Sequence, residues 1–411
     1  MAGKLCVAVV SPFLDKRHGT ERCVLEQVER LAGEHGYQVH LYCQRVEDVP
    51  GLQSFDSEAG PNGSAAAGRI LWHRIPDIPG PHLVKYLWWF LANRLRRWRD
   101  QRFGGLRYDL VYSPGINCWD ADVIVVHIVF HEFHRLVRDE LRLEKIPLRT
   151  WPRALHRRLY HRLIMALEKR IYSNPRVALA AVSGLTAREL FRFFGRSDVE
   201  VIPNAIDLRA FNPEVRRSRR AEARRHWQYN EEDFVLLLIG NDWKKKGLNA
   251  LLEAAARCGD LPFRVLVVGG DDRVPYKAAV QRLGLQGRVQ FADPSTDVLQ
   301  FYAAADTYAG PSLHDSFALP PAEAMACGLP VITSANNGGS QMVADRRNGF
   351  VLRDPKDAAE LARILRSVYE DPDLRRQVGE DAARTAQQYR WERNAQQTKE
   401  LLERAWNLKN S

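Results

Sequence analysis

Short apolar runs alternate with longer stretches of helical spacing along this chain. Leu5–Val10 is an unbroken apolar run stopped by Ser11-Pro12. A loop over Ser11–Gly19 leads into helical periodicity from Glu21 to Glu34, and Gln38–Cys43 is apolar again. That order predicts a strand–helix–strand unit. Leu110–Tyr112, Val123–His127, Val177–Val182 and Glu200–Asn204 are further strand candidates. Their apolar residues are continuous rather than alternating, as expected of parallel strands covered by helices on both faces. The series then restarts: strand Phe234–Ile239, helix Leu248–Ala256, strand Phe263–Val268, helix Ala278–Leu283, strand Val289–Phe291, helix Val298–Ala304, strand Thr307–Ala309. Two such series in 411 residues exceed one ordinary core and predict an α/β protein of two Rossmann-like domains. The first spans residues 1–206 and the second 207–388, followed by a terminal amphipathic segment, 389–411. The polar stretch Asp207–Arg225 holds the link and the first helix beyond it.

Composition narrows the partners. The formal net charge is +10, which favours a polyanion such as anionic lipid, a phosphorylated glycan or nucleic acid. An arginine bias of the genome is the plainer account. The six cysteines, Cys6, Cys23, Cys43, Cys118, Cys258 and Cys327, show no metal-ligand spacing and no disulfide framework. The N-terminal apolar run is too short for a signal peptide, and none reaches the roughly 18 residues of a membrane span. A cytoplasmic protein is expected.

Candidate chemistry concentrates in His314–Val331. Asp315 and Glu323 bracket seven residues, helix formers run from Ala322 to Cys327, Gly328 and Pro330 stop them, and strand-like Val331-Ile332-Thr333 follows. Amides at such a helix start, Phe317, Ala318 and Leu319, suit a phosphate. A carboxylate one turn inside, Glu323, suits ribose hydroxyls. Two acids near a helix start are also what the helix dipole alone favours. Lys244, Lys245 and Lys246 follow the strand Phe234–Ile239, at the sheet edge where doubly wound folds bind ligands, and would neutralise a diphosphate. In the first turn, His18-Gly19-Thr20-Glu21-Arg22, Gly19 permits close backbone approach to an anion. His127 ends a buried strand, with His131 and His134 after it and Asp120 and Asp122 before. Pro81–Arg102 and Trp151–Arg170 interleave aromatic and basic residues, which suits an anionic membrane surface or a phosphorylated acceptor. Ordinary helices with inward Trp and solvated Arg would look the same.

In order and spacing these segments resemble the retaining GT-B glycosyltransferases of the large bacterial family 4 type. Lipopolysaccharide-core glucosyltransferase I is the nearest subgroup, notably through Gly240–Gly247. His314–Val331 is similar to the family's E-x7-E segment, with Asp315 in place of the first Glu. His18–Arg22 is similar to G-G-x-E-R, and Pro203-Asn204-Ala205-Ile206-Asp207 to P-N-G-[VI]-D. The resemblance implies a GT-B fold whose two parallel sheets face a central cleft, with the C-terminal helix returning to the first domain. It implies that Asp315 lies near the donor sugar and that Glu323 binds ribose. Lys245 and Lys246 would grip the diphosphate, Ala292 would lie beside the base, and Gly240 and Gly19 would border the phosphates. It assigns the active-site histidine to His127, or alternatively His131, and makes His127, Asp315 and Lys246 the catalytic set.

The implied activity is retaining, metal-independent transfer of a hexose-type sugar from a nucleotide-diphosphate donor, UDP by preference. The acceptor would be a cell-envelope glycan or a lipid-linked molecule such as lipopolysaccharide core. No Asp-x-Asp metal motif stands in a suitable loop, and no cofactor beyond the donor substrate is expected. No nucleic-acid module is present. Peripheral contact with the inner membrane face is the expected partner surface. A sugar-nucleotide epimerase, a phosphorylase-like enzyme and an inactive nucleotide-sugar-binding scaffold are the alternatives.

Overall fold

The computed structural model describes residues 5–16, 19–49, 52–55, 68–138 and 151–411. It divides into two compact units, Met1–Ile202 with Asn394–Ser411, and Pro203–Arg393. His18 lies outside the described residues.

In the first unit the strands are β1 (Cys6–Val10), β2 (Phe13–Leu14), β3 (Gln38–Cys43), β4 (Arg45–Val46), β5 (Gln53–Ser54), β6 (Ile70–Arg74), β7 (Leu110–Ser113), β8 (Val123–Val126), β9 (Ala178–Ala181) and β10 (Glu200–Val201). The helices are α1 (Gly19–Gly33), α2 (His82–Phe103), α3 (Phe130–Val137), α4 (Trp151–Tyr172) and α5 (Gly184–Phe194). Eight strands form one parallel sheet in the order β10-β9-β8-β7-β1-β3-β6-β5. Val7–Val10 of β1 and all of β7 and β8 are buried, which is why these runs are apolar without alternation. β10 ends at Val201 because Pro203 has no N–H to continue a ladder. β6 was not anticipated. Its sequence Ile-Leu-Trp-His-Arg alternates in burial, and its His73 is fully buried against His40 and Asp100.

The second unit contains α6 (Pro213–His226), β11 (Phe234–Ile239), α7 (Leu248–Arg257), β12 (Phe263–Val268), α8 (Val274–Arg282), β13 (Val289–Ala292), α9 (Leu299–Ala304), β14 (Thr307–Ala309), α10 (Leu319–Ala326), β15 (Val331–Ser334), β16 (Phe350–Leu352), α11 (Ala358–Glu370) and α12 (Pro372–Ala386). Its sheet order is β13-β12-β11-β14-β15-β16, all parallel. Numbered within this unit, that is 3-2-1-4-5-6, the doubly wound order whose crossovers reverse between β11 and β14. At such a reversal the loops leaving the carboxyl ends of the two strands diverge and open a crevice. The core beneath is built from Phe234, Leu236, Leu238, Trp243, Leu251, Val265 and Leu361, among others.

The last helix, α13 (Trp391–Asn410), groups with the first unit from Asn394 onward. There the Gln27 side-chain amide donates to Asn394 Oδ1 at 2.9 Å in a buried position, and Lys409 pairs with Asp122 at 2.9 Å. Among the described residues no helix is long and apolar enough to cross a membrane.

Candidate functional site

The loop after β11 carries the lysines, and packing rather than the lysines fixes its shape. Trp243 is fully buried and its indole N–H donates to the Val268 carbonyl at 3.3 Å. Burying such a ring stabilises the anchor by about 5 kcal/mol at ~25 cal/mol per Å². Asp271 accepts from the amides of Asp242 (2.9 Å) and Trp243 (3.2 Å), tying this loop to the one after β12. Gly247 has φ +83, and a Cβ there would come within 2.1 Å of the Pro311 carbonyl oxygen. Only glycine satisfies both demands. The Leu313 amide donates to the Lys245 carbonyl at 2.7 Å, closing the lysine loop against the segment after β14.

That closure brings together residues far apart in sequence. Lys246 Nζ is ion-paired with Asp315 Oδ2, the two side chains 17% and 19% exposed. The Lys246 stem runs across Gly240, where a Cβ would approach its Cε to 2.9 Å. Lys245 pairs with Asp242 at 2.8 Å. The two lysines expected to act together therefore have separate carboxylate partners.

The acidic segment departs from expectation at its turn. Helix α10 starts at Leu319, three residues before Ala322, because proline is tolerated in a first turn. Pro320 and Pro321 carry no N–H. The Phe317 amide donates to Asp315 Oδ1 (3.2 Å) and the Ala318 amide to Asn337 Oδ1 (3.3 Å). Of the three expected phosphate-binding amides, those of Phe317 and Ala318 thus have side-chain acceptors here, and Leu319 opens the helix after a cap residue, Ala318, that makes no side-chain cap bond. Asn337 also accepts from Gly339 N (3.0 Å) and donates to Thr333 Oγ1 (3.1 Å), so it pins the entry to α10 against the end of β15. Glu323 is 4% exposed. The hydroxyl of fully buried Tyr302, on α9, donates to its Oε2 at 2.8 Å. Burial and the Glu323 charge push the Tyr302 phenol well above its ordinary range, so it stays a donor. Ala292 ends β13, and its carbonyl accepts from Gly269 N at 3.0 Å.

Tyr302 and Asn337 were missed in the sequence. Tyr302 sits in a short, mostly buried helix and looks like plain core. Asn336-Asn337-Gly338-Gly339 follows β15 at the same sheet edge as the lysines, and that position was a usable signal.

In the first unit, His127 follows β8, is 6% exposed, and its Nε2 is buried with no hydrogen-bond partner among the described residues. Burial holds its pKa down at about 4, so the ring is neutral. His131 is placed differently. Its Nδ1 pairs with Glu168 at 2.6 Å, while Glu168 also accepts the Phe130 and His131 amides at 2.5 and 2.9 Å. Glu168 therefore caps α3 and occupies that histidine. Gly19 is the exposed first residue of α1.

The basic helices are a mixture. Trp89 and Phe90 are buried. Arg97, expected on the anionic-contact face, is 1% exposed and bidentate to Asp120 at 2.7 and 2.9 Å. Arg94 shares Asp120, and Arg96 pairs with Asp100 at 3.0 Å. What stays exposed is an apolar stripe, Leu87, Leu91, Leu95 and Trp98 on α2 and Trp151, Leu155 and Leu159 on α4. Arg99, Arg102, Arg153, Arg157 and Arg162 are exposed on the same two helices.

Comparison with known proteins agrees with this architecture. Residues 17–210 match the family model described as Glycosyltransferase Family 4, and residues 219–385 match Glycosyl transferases group 1. The chain is 33% identical over 398 residues to the D-inositol 3-phosphate glycosyltransferase of Salinispora arenicola (strain CNS-205), covering 90% of this chain and 83% of that one. To the protein of the same name from Arthrobacter sp. (strain FB24) it is 31% identical over 206 residues, so the match spans about half that relative's length, 48%. Among solved structures, WaaG, a glycosyltransferase involved in lipopolysaccharide biosynthesis, superposes with a TM-score of 0.74 at 20% identity, covering 95% of this chain and 98% of that one. HepE of Anabaena, in complex with UDP and glucose, superposes with a TM-score of 0.68 at 20% identity, covering 97% and 99%. These likenesses establish the two Rossmann-like domains of the GT-B fold. The chain belongs to the family 4, or group 1, glycosyltransferases.

Proposed function

We propose that this protein is a retaining glycosyltransferase that moves a hexose-type sugar from a UDP-sugar to a hydroxyl of an anionic, envelope-associated acceptor. The observation that carries the reading is the convergence of Lys246, Asp315 and buried Glu323 at the switch point of the second sheet. Glu323, fixed by Tyr302, accepts from ribose hydroxyls. Lys246 and Lys245 balance the diphosphate charge, which makes a divalent ion unnecessary there. Asp315 lies beside Lys246 and takes a sugar hydroxyl. In the transfer, the bond from the anomeric carbon to the β-phosphate oxygen breaks and its electron pair stays on that oxygen. The acceptor oxygen bonds to the same face of the carbon, and its proton passes to the leaving phosphate. Neutral His127, whose Nε2 has no hydrogen-bond partner among the described residues, serves as a hydrogen-bonding group for a substrate hydroxyl.

The exposed apolar stripe and the arginines beside it on α2 and α4 support an acceptor presented at an anionic membrane surface, such as lipopolysaccharide core. A second reading, a soluble inositol phosphate acceptor, is favoured by the Salinispora relative. The shared chemistry is a hydroxyl compound bearing phosphate.

The test is nucleotide release from UDP-, GDP-, dTDP- and ADP-sugars with chelator present, first without acceptor and then with inositol 3-phosphate or a phosphorylated core oligosaccharide. Hydrolysis or transfer with one donor, lost in Glu323→Ala and impaired in Lys246→Ala, is expected. Release that survives Glu323→Ala would remove the ribose assignment. Absence of both turnover and nucleotide binding would favour the inactive scaffold.

A further inference from the structure

At the opposite end of the second sheet from the lysines lies a cavity of about 420 Å³. Its walls include Asp306 and Pro330, the residues that immediately precede β14 and β15. It therefore opens at the amino ends of these strands, whereas Lys246 and Asp315 follow the carboxyl ends of β11 and β14. Five arginines line it: Arg216, Arg217 and Arg220 from the first two turns of α6, and Arg375 and Arg376 from the first turns of α12. The two acids in the wall are already engaged. Asp306 accepts from Arg220 (2.6 Å) and Arg224 (3.1 Å), and Glu380 from Arg376 (3.4 Å).

Three guanidiniums remain with no carboxylate partner among the described residues. Arg216 donates to the Ala305 carbonyl at 3.2 Å and Arg217 to that of Pro213 at 3.2 Å. Arg375 donates to Val368 and Tyr369 carbonyls at 3.0 and 3.2 Å. Arg216 Nε is buried and has no hydrogen-bond partner among the described residues. Burial, and after it the neighbouring Arg220, push the Arg216 pKa down, against the pull of Asp306. Guanidinium groups stay protonated in proteins, so the repulsion from Arg220 is relieved by an anion rather than by proton loss. The amino-terminal halves of two helices add partial positive charge of the same sign. A solvated arginine cluster would put its side chains on a convex surface. These line a concavity of the size that holds small ligands, and one buried N–H is unanswered.

We propose that this arginine-lined cavity is a second anion site, binding a multiply charged phosphate compound of nucleotide or sugar-phosphate size, distinct from the lysine loop. Planar guanidiniums match phosphate oxygens in pairs, which makes phosphate the fitting anion class. The cavity also touches the end of α10, since Gly328 and Leu329 are in its wall. Helix α10 is eight residues long, a rise of about 12 Å. Its first turn enters beside Asp315 and its last turn ends at the arginines. An anion drawn onto Arg216 and Arg375 thus sits at the far end of the helix that carries Glu323.

The test is calorimetric titration with inorganic pyrophosphate of the full chain, of Lys246→Ala, and of Arg217→Glu/Arg375→Gln. Lys246→Ala weakens diphosphate binding at the lysine loop while leaving the arginine cavity untouched, so the experiment separates this site from the proposed function. Saturable binding that persists in Lys246→Ala and weakens at least tenfold in the double arginine variant is expected. Arg217→Glu alone, at an exposed side chain, guards against misfolding and should weaken binding severalfold with an unchanged thermal midpoint. A nucleoside diphosphate that binds Lys246→Ala tighter than pyrophosphate does, and is weakened by adding Arg217→Glu/Arg375→Gln, would mark a nucleotide as the source of the phosphate, and equal affinity a bare phosphate compound. Loss of all pyrophosphate binding in Lys246→Ala, or unchanged binding in the arginine variants, would overturn the proposal.

Discussion

Tyr302→Phe isolates the contact that holds Glu323. The hydroxyl donates to Glu323 Oε2 at 2.8 Å, with the Pro320 carbonyl 3.3 Å away as a second acceptor. Both side chains are buried. Removing the oxygen deletes a hydrogen bond to a charged group and leaves a carboxylate short of one donor, which costs about 1.5–3 kcal/mol. For a unit of this size that lowers the thermal midpoint by roughly 3–12 °C. If Glu323 binds ribose, the carboxylate that has lost this donor also presents itself poorly, and UDP affinity falls by about 10- to 150-fold for the same free energy. Glu323→Gln behaves differently. Its amide oxygen still accepts from Tyr302, so stability falls by only about 1 kcal/mol, while the charge-assisted bonds to ribose are lost. The two changes share one contact, so the double variant should fall short of additivity by more than about 0.5 kcal/mol. Calorimetric UDP titration paired with thermal unfolding reads both quantities. A wild-type midpoint for Tyr302→Phe would mean the hydroxyl carries no free energy. A lowered midpoint with unchanged UDP affinity in both variants would make Glu323 a structural residue and retire its ribose role.

Two further expectations concern the first unit. His127 has a folded pKa of about 4, below the ordinary value of about 6.5. The unfolded chain takes up a proton first as pH falls, so the stability this neutral ring contributes is complete above pH ~6.5 and is lost toward pH ~4 at up to about 1.4 kcal/mol per unit. Urea midpoints measured between pH 7.5 and 4.5 should fall less steeply in His127→Gln than in the parent, and parallel curves would contradict the buried neutral assignment. The apolar stripe on α2 should bind vesicles rich in phosphatidylglycerol at low salt. Leu91→Glu/Leu95→Glu, at side chains 58% and 63% exposed, should reduce flotation severalfold without a change in thermal midpoint, and flotation equal to wild type would exclude this face as the contact.

The elements legible in the sequence were those buried on both faces. Phe234–Ile239, Phe263–Val268 and Thr307–Ala309 have the expected bounds, because a parallel strand covered on both faces reads as a largely apolar run. β6 escaped notice because its His73 is buried through polar partners, Asp100 at 2.7 Å and His40 at 2.8 Å, which hydropathy counts as surface. Arg97 shows the same limit from the other side. Spacing marks a basic helix but cannot tell which arginine will meet Asp120, 23 residues on, and be buried. At the candidate site the acids and lysines were visible, while their pairing was not. Lys246 and Asp315 are 69 residues apart, and only the strand order makes them neighbours. Tyr302 carries no mark beyond an apolar helix. The arginine cavity draws on α6, expected within Asp207–Arg225 as the first helix beyond the link but with no function attached to its arginines, and on α12, which offered no motif.

The Lys246–Asp315 pair explains why those two residue types belong at this sheet edge. With crossovers reversing between β11 and β14, their loops diverge, and something must hold them at a fixed separation. Trp243 and Gly247 set one loop, Asn337 the entry to α10, and the Leu313–Lys245 backbone bond joins the two. Against that fixed frame the ion pair is the movable part. An ammonium has three donors on a flexible stem. Under the proposed function, a diphosphate draws on Lys246 in direct competition with Asp315. As the phosphate takes over the lysine charge, the carboxylate is released toward the sugar it is to hold. Asp315 has one methylene fewer than glutamate and loses less rotamer entropy when fixed, so this exchange moves it little. Asp315→Asn should then weaken the hold on Lys246 while retaining an acceptor for the sugar, which separates the lysine's charge partner from the sugar contact within one residue.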